Sequence, residues 1–239
     1  MKQLILPLEL PPTFKDENFI VSRSNEEAYL WVMRWPNWPN HCLALYGEAG
    51  CGKTHLSHIW KIHTNARYLK AQDFNIISLE TLFERPPLFI LDEAHLIEKE
   101  EKLFHFYNHL VASKGGLLLL SRTPPAHWEK NLPDLRSRLH AIPALKIHTP
   151  DEALLFQVIQ KLFNDFQLHI DEAVIGFLLK YMERSFEAAR VWVETLNVYA
   201  LTQNRRVTIP MVREVLGEKE GAEKHLLPLP STTLNLPMY

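Results

Sequence analysis

A chain of 239 residues that is 46% apolar and 23% charged, with 8 Gly and 16 Pro, has the composition of a folded globular protein, which excludes disordered and fibrous classes. Its net charge of -2 and its lack of any basic block remove the phosphate-neutralising footprint of a stand-alone nucleic-acid binder, so strong direct DNA binding is not expected. Two cysteines, Cys42 and Cys51, are too few for a disulfide framework, and no apolar run approaches the ~18 residues of a membrane helix; the expectation is a cytoplasmic protein with free thiols and no membrane partner.

The first nine residues carry one lysine and a hydrophobic stretch cut by Pro7 and Glu9, too short for a signal peptide. Trp31, Trp35 and Trp38, interleaved with Pro36 and Pro39, read as a packed helix end and turn rather than a stacking platform for bases. Beyond them, apolar runs of strand length alternate with helical periodicity. Strands are predicted at His41 to Tyr46, Arg67 to Lys70, Leu88 to Leu91, Leu117 to Leu120 and Leu145 to Ile147. Helices are predicted at Thr54 to Thr64 and Glu98 to Ser113, the second with Leu103, Phe106, Tyr107, Leu110 and Val111 on one face. Such alternation implies an α/β fold, a five-stranded parallel sheet with helices on its faces.

After Ile147 the pattern turns helical. Thr149-Pro150-Asp151-Glu152 reads as a capping box with proline at the first helical position, and Leu155, Ile159, Leu162, Phe163 and Phe166 trace one face. Further helices are predicted near Asp171 to Tyr181, from Ser185 to Thr202, and from Thr208 to Leu216, the last stopped by Gly217. Residues 150 to 217 hold 7 Lys/Arg against 9 Asp/Glu, mildly acidic, which suits a lid better than a DNA reader.

The sharpest signal is Gly47-Glu48-Ala49-Gly50-Cys51-Gly52-Lys53-Thr54, a G-x-x-x-x-G-K-T phosphate loop between a predicted strand and a predicted helix. Three glycines within six residues let the backbone curl around phosphates with its N–H groups inward; Lys53 neutralises the β- and γ-phosphates, and Thr54 offers a hydroxyl to Mg²⁺. The expected nucleotide-contacting set is Gly47, Glu48, Ala49, Gly50, Cys51, Gly52, Lys53, Thr54 and His55. Leu88-Phe89-Ile90-Leu91-Asp92-Glu93 ends a buried strand in two carboxylates, so Asp92 suits the Mg²⁺ shell and Glu93 the orientation of an attacking water. An acidic pair after a strand is by itself more often a cap or a solvated loop; its position ~40 residues after a phosphate loop reverses that preference. Asp92-Glu93-Ala94-His95 also suggests a DEAH helicase, which fails for want of a second recombinase-like domain in this sequence.

With Leu117-Leu118-Leu119-Leu120-Ser121-Arg122-Thr123-Pro124-Pro125 and Leu132-Pro133-Asp134-Leu135-Arg136-Ser137-Arg138-Leu139, these motifs and the helical segment resemble the AAA+ core of the DnaA initiator family over residues 15 to 217. The likeness is closer to its Hda-type members, which lack the initiator's C-terminal DNA-binding domain; nothing after Leu216 reads as one. The resemblance implies an AAA+ P-loop NTPase core at 15–148, a lid at 149–217, a clamp-binding peptide at 1–14 and a flexible tail at 218–239. It also implies ADP or ATP with Mg²⁺ as cofactors, DnaA and the polymerase sliding clamp as partners, and leaves a homo-oligomer open.

In Gln3-Leu4-Ile5-Leu6-Pro7-Leu8 the resemblance assigns Gln3, Leu4, Leu6 and Pro7 to the clamp, and Phe19-Ile20-Val21 to the adenine. Arg138 takes the place of the family's arginine finger, which acts on a neighbour's nucleotide, whereas Arg136 reads as solvated. Two positions depart from the family: Arg122 stands at an acidic sensor, and Glu187, between Arg184 and Arg190, at a lid arginine. The implied activity is therefore promotion of hydrolysis on DnaA more than fast turnover of its own. An ATP-hydrolysing helicase loader or DNA-remodelling protein driven by Glu93 is the alternative, and a non-catalytic DNA-recruitment adaptor a third. Deleting residues 1 to 8 is expected to abolish co-elution with the sliding clamp while leaving the thermal unfolding midpoint unchanged; a truncated chain that still co-elutes contradicts the peptide assignment.

Overall fold

Five strands run parallel in the order β2-β3-β4-β1-β5: β1 Cys42–Tyr46, β2 Arg67–Lys70, β3 Leu88–Asp92, β4 Gly116–Ser121 and β5 Ala144–Lys146. The structure is a computed structural model that describes residues 19–83 and 87–222. The expected clamp peptide, with Gln3, Leu4, Leu6 and Pro7, lies outside the described residues. The continuous apolar strands follow from helices covering both faces. Along β4, Leu117 and Leu119 enter one core with Phe89 and Leu91, while Leu118 and Leu120 enter another with Ile90, Leu43 and Leu45.

The helices over these faces are α1 Glu26–Val32, α2 Lys53–Thr64, α3 Ala71–Ile76, α4 Leu79–Phe83, α5 Glu100–Ala112 and α6 Pro133–His140. Leu103, Phe106, Tyr107 and Leu110 of α5 are buried at the predicted spacing. Phe106 sits at the centre of one core, with ring centroids 5.1 Å from Phe74 and 5.0 Å from Phe89, both edge-on. On the other face Trp35 and Trp38 pack against Trp60 at 5.4 and 5.0 Å, and the Trp38 indole donates to the Trp31 carbonyl at 2.7 Å, as expected for a packed helix end.

Strand order places β1 between β4 and β5, with the crossover to β2 passing to one side and the return through β5 arriving on the other. The C-terminal end of β1 is therefore a topological switch point, where loops diverge and leave a crevice.

A second body of helices, α7 Glu152–Asp165, α8 Glu172–Leu178, α9 Phe186–Gln203 and α10 Ile209–Ala222, has its own core around Ile159, Phe163, Leu178, Trp192 and Leu196. Two expectations are corrected here. The cap of α7 is Asp151, whose carboxylate accepts from the Leu154 N–H at 2.8 Å, not Thr149; Glu152 does not close a box but lies 3.7 Å from Arg184. Gly217 does not end α10, because it sits exposed in regular helix with open space where a Cβ would be, so residues 218–222 of the expected flexible tail are helical. Asp171 and Ser185 do cap α8 and α9, accepting from Ala173 and Ala188 at 2.9 and 3.0 Å.

Because Phe106 is fully buried among three phenylalanines, Phe106→Ala is expected to cost roughly 3–5 kcal/mol in urea unfolding and Phe106→Leu clearly less; equal losses would contradict a packed-ring core.

Candidate functional site

Between β1 and α2 the chain passes Gly50 at φ 70° and Gly52 at φ 104°, conformations that a side chain strains. A Cβ on Gly50 would also lie 2.8 Å from the Ser185 Cβ, and one on Gly52 3.2 Å from the Phe186 ring. Phe186, the first residue of α9, donates its N–H to the Gly50 carbonyl at 3.2 Å. The start of α9 is thus seated directly on the loop. Beneath it the first N–H groups of α2 point into the crevice, a ready anion site.

Lys53 opens α2, and its ammonium donates to the Gly47 and Glu48 carbonyls at 2.7 Å each, which holds the charge at the mouth of the loop. Glu48 and Ala49 are exposed on the rim, while Gly47 and Cys51 are buried behind it. Both cysteines are free. Burial raises the Cys42 thiol to about 12, so it stays protonated.

A cavity of about 570 Å³ opens between this loop and the α7–α9 face, within the range of small-molecule sites. Its lining combines Gly50, Gly52, Lys53 and Thr54 of the phosphate loop with the apolar side chains of Phe19, Ile20, Leu162 and Phe166. Phe19 stacks on Tyr29 at 5.6 Å and meets His55 edge-on at 5.3 Å. The Asn25 amide pins Ile20 by donating to its carbonyl at 3.0 Å. Apolar side chains beside a cationic, N–H-lined loop suit a base joined to phosphates. Val21 departs from the expected set: it is 44% exposed and does not line the cavity.

Of the lid's share of the cavity, sequence reasoning named Glu187 and the flanking Arg190 and missed Lys161, Asp165 and Glu194. Lys161 and Asp165 of α7 and Glu187, Arg190 and Glu194 of α9 line it, the last two 3.7 Å apart as an ion pair. Of the two arginines flanking Glu187, Arg190, one turn on, is the one that reaches the cavity. Arg184 is instead paired with Glu152.

Asp92 ends β3 next to the loop. Its Oδ1 accepts from the Glu93 N–H at 2.8 Å, and its Oδ2 accepts from the Tyr68 hydroxyl. Of the two expected metal ligands, Asp92 is thus held by a tyrosine that sequence reasoning did not single out, and Thr54 lies in the first turn of α2. Burial and the carboxylates of Asp92 and Glu93 push the Tyr68 hydroxyl well above its ordinary range. Glu93 is exposed at φ 54°, a left-handed conformation rare outside glycine and frequent at functional turns.

At the tip of β4, Ser121 is buried and donates to the Thr123 carbonyl at 2.7 Å, while Arg122 is exposed; burial first, then the Arg122 charge, lowers the His95 pKa. Arg138 is exposed on α6 and does not line the cavity. Its guanidinium lies 5.3 Å over the Phe104 ring and 5.7 Å over Tyr107.

The sequence model of the bacterial DnaA ATPase domain matches residues 10–144, and that of the Hda lid domain matches residues 153–216. The chain belongs to the DnaA-related AAA+ family, close to Hda. It is 23% identical over 270 residues to the chromosomal replication initiator protein DnaA of Borreliella afzelii (strain PKo), covering 99% of this chain and 56% of that relative's length. Domain III of the Thermotoga maritima replication initiation protein DnaA superposes with a TM-score of 0.75 at 21% identity, covering 87% of this chain and 98% of that one. AMPPCP-bound DnaA from Aquifex aeolicus gives a TM-score of 0.70 at 22% identity over 90% of this chain and 71% of that one. The DnaA-related fold accounts for the helical lid closing on the phosphate loop. Among the described residues no helix is long and apolar enough to cross a membrane.

His55, in the cavity wall, has its pKa lowered from 6.5 to about 4 by burial and by the charges of His58 and Lys161. The folded state thus binds its proton less well than the unfolded chain. Its contribution to stability is complete above about pH 6.5 and is lost as pH falls toward 4. Discounted for solvent at this half-buried site, the wild type should lose on the order of 1–2 kcal/mol more than His55→Gln between about pH 7.5 and 4.5 in urea unfolding. Parallel pH profiles would show that the fold leaves the His55 pKa unshifted.

Proposed function

We propose that this chain is a clamp-associated, nucleotide-loaded regulator that accelerates hydrolysis of ATP bound to DnaA and so limits replication initiation. The observation that carries this reading is a phosphate loop capped by an Hda-type lid, with Arg138 exposed on α6 and outside the chain's own cavity. The AMPPCP bound by the Aquifex aeolicus DnaA of the same fold supports an adenine nucleotide, ADP or ATP, as the ligand.

In this scheme Lys53 and the loop N–H groups hold the phosphates, and the apolar lining near Phe19 and Ile20 receives the base. Thr54 and Asp92 are the residues that would hold Mg²⁺, which supplies charge neutralisation between phosphate oxygens. The bound nucleotide is structural: it ties the α/β body to the lid. Arg138 presents a permanent planar charge to the transferring phosphoryl group on DnaA, a contribution of ~10³ to 10⁵ in rate, or about 4 to 7 kcal/mol. The attacking water there is oriented by DnaA's own carboxylate, so Glu93 is secondary for that activity. The peptide at Gln3, Leu4, Leu6 and Pro7 would bring the chain to the clamp, with short-peptide affinity near micromolar reinforced by the ring's several sites.

Following DnaA-bound ATP over time with DNA-loaded clamp tests the reading. Arg138→Ala is expected to retain ADP and clamp binding and to lose acceleration by about 10³-fold or more, whereas Glu93→Gln retains most of it. Lys53→Ala should lose ADP binding. If Glu93→Gln is inactive and Arg138→Ala fully active, the chemistry belongs to this chain's own site, as in a loader.

A further inference from the structure

Asp92 is the last residue of β3, and the chain leaves the strand at once, with Glu93 at φ 54°. A carboxylate at such a strand end swings freely unless something outside the turn holds it, and here Tyr68 does so. In the β2–β3 register Tyr68 pairs with Ile90, and Asp92, two residues on, shares the face of Ile90. The phenol crosses that diagonal and donates its hydroxyl to Asp92 Oδ2, while Oδ1 accepts the Glu93 N–H at 2.8 Å. The two bonds fall on different oxygens, so turning the carboxylate breaks at least one of them. Each oxygen keeps a further lone pair, so the group is oriented without being used up.

The ring is held in turn from α2. Its centroid lies 5.2 Å from that of His58, one turn after Thr54 on the same helix. Tyr68 packs against the same apolar core as Ile90 and the α2 residues Leu56, Ile59 and Trp60. It therefore spans from the helix that carries Thr54 to the strand that carries Asp92. A magnesium ion demands near-octahedral oxygen ligands and tolerates little misplacement. Hydrogen-bond partners that orient a ligating group are worth about 10–100-fold in metal affinity.

We propose that Tyr68 is a positioning residue for the divalent cation of this site: its hydroxyl fixes the Asp92 carboxylate and thereby sets how strongly Mg²⁺ assists nucleotide binding. This rests on the phosphate-loop reading above, in which Thr54 and Asp92 hold the ion. Tyr68→Phe removes the hydroxyl and keeps the ring against His58.

The test is ADP binding by calorimetry in excess MgCl₂ and in excess EDTA, read as the ratio of the two affinities. A general loosening of the fold weakens both and leaves the ratio unchanged. Wild type should gain about tenfold or more from magnesium, and Tyr68→Phe should keep less than about a third of that gain. A Tyr68→Phe ratio that stays above a third of the wild-type value overturns the proposal, because the hydroxyl then serves the sheet and not the ion. A wild type that gains less than about threefold from magnesium also overturns it, and that measurement needs no variant to fold. A wild type that binds no ADP in either solution is a different result: it removes the phosphate-loop reading and the proposal with it.

Discussion

Between Tyr46 and Lys53 the backbone must converge its amides on one point while leaving room for the lid to sit on top. The two demands meet at Gly50 and Gly52, where a single added carbon would collide with Ser185 or crowd Phe186. The loop conformation and the lid position are consequently one constraint. The bond from Phe186 N–H to the Gly50 carbonyl couples the two bodies through the same peptide group that shapes the crevice. The apolar and ionic walls of the cavity then follow from which side chains α7 and α9 turn inward.

Much of this was legible in the sequence. Strands buried on both faces have no polar face to show, so β3 and β4 appear as uninterrupted apolar runs, and the loop glycines are required by a geometry that few other sequences meet. The parallel five-stranded sheet, the helical lid and the family likeness therefore came from local pattern. Short elements did not: α3 and α4 are six and five residues long, less than two turns, too little for periodicity to register. The box pattern pointed to Thr149, whereas the cap is Asp151, whose carboxylate reaches Leu154 N–H while Glu152 faces Arg184.

Residues that meet only in three dimensions stayed invisible. Tyr68 carries no motif; its position depends on β2 pairing with β3, a contact across more than twenty residues of chain. Lys161, Asp165 and Glu194 have the same character, since only α7 and α9 laid over the phosphate loop bring them to the cavity, whereas Glu187 and Arg190 were already marked by the family likeness. Val21 belongs here too: Phe19 and Ile20 line the cavity while Val21 turns to solvent, a difference that three consecutive apolar residues do not announce.

The posture of Arg138 has an entropic side. A free arginine side chain carries about 2 kcal/mol of rotamer freedom that any docking partner must quench. Here the guanidinium already rests over Phe104 and Tyr107, and Tyr107 is in turn buried in the core that holds Cys42 at the start of β1. Part of that freedom is surrendered when the chain folds, so a group arriving at α6 meets a preorganised cation. Widening or removing the aromatic ledge would leave the charge in place and still slow its engagement.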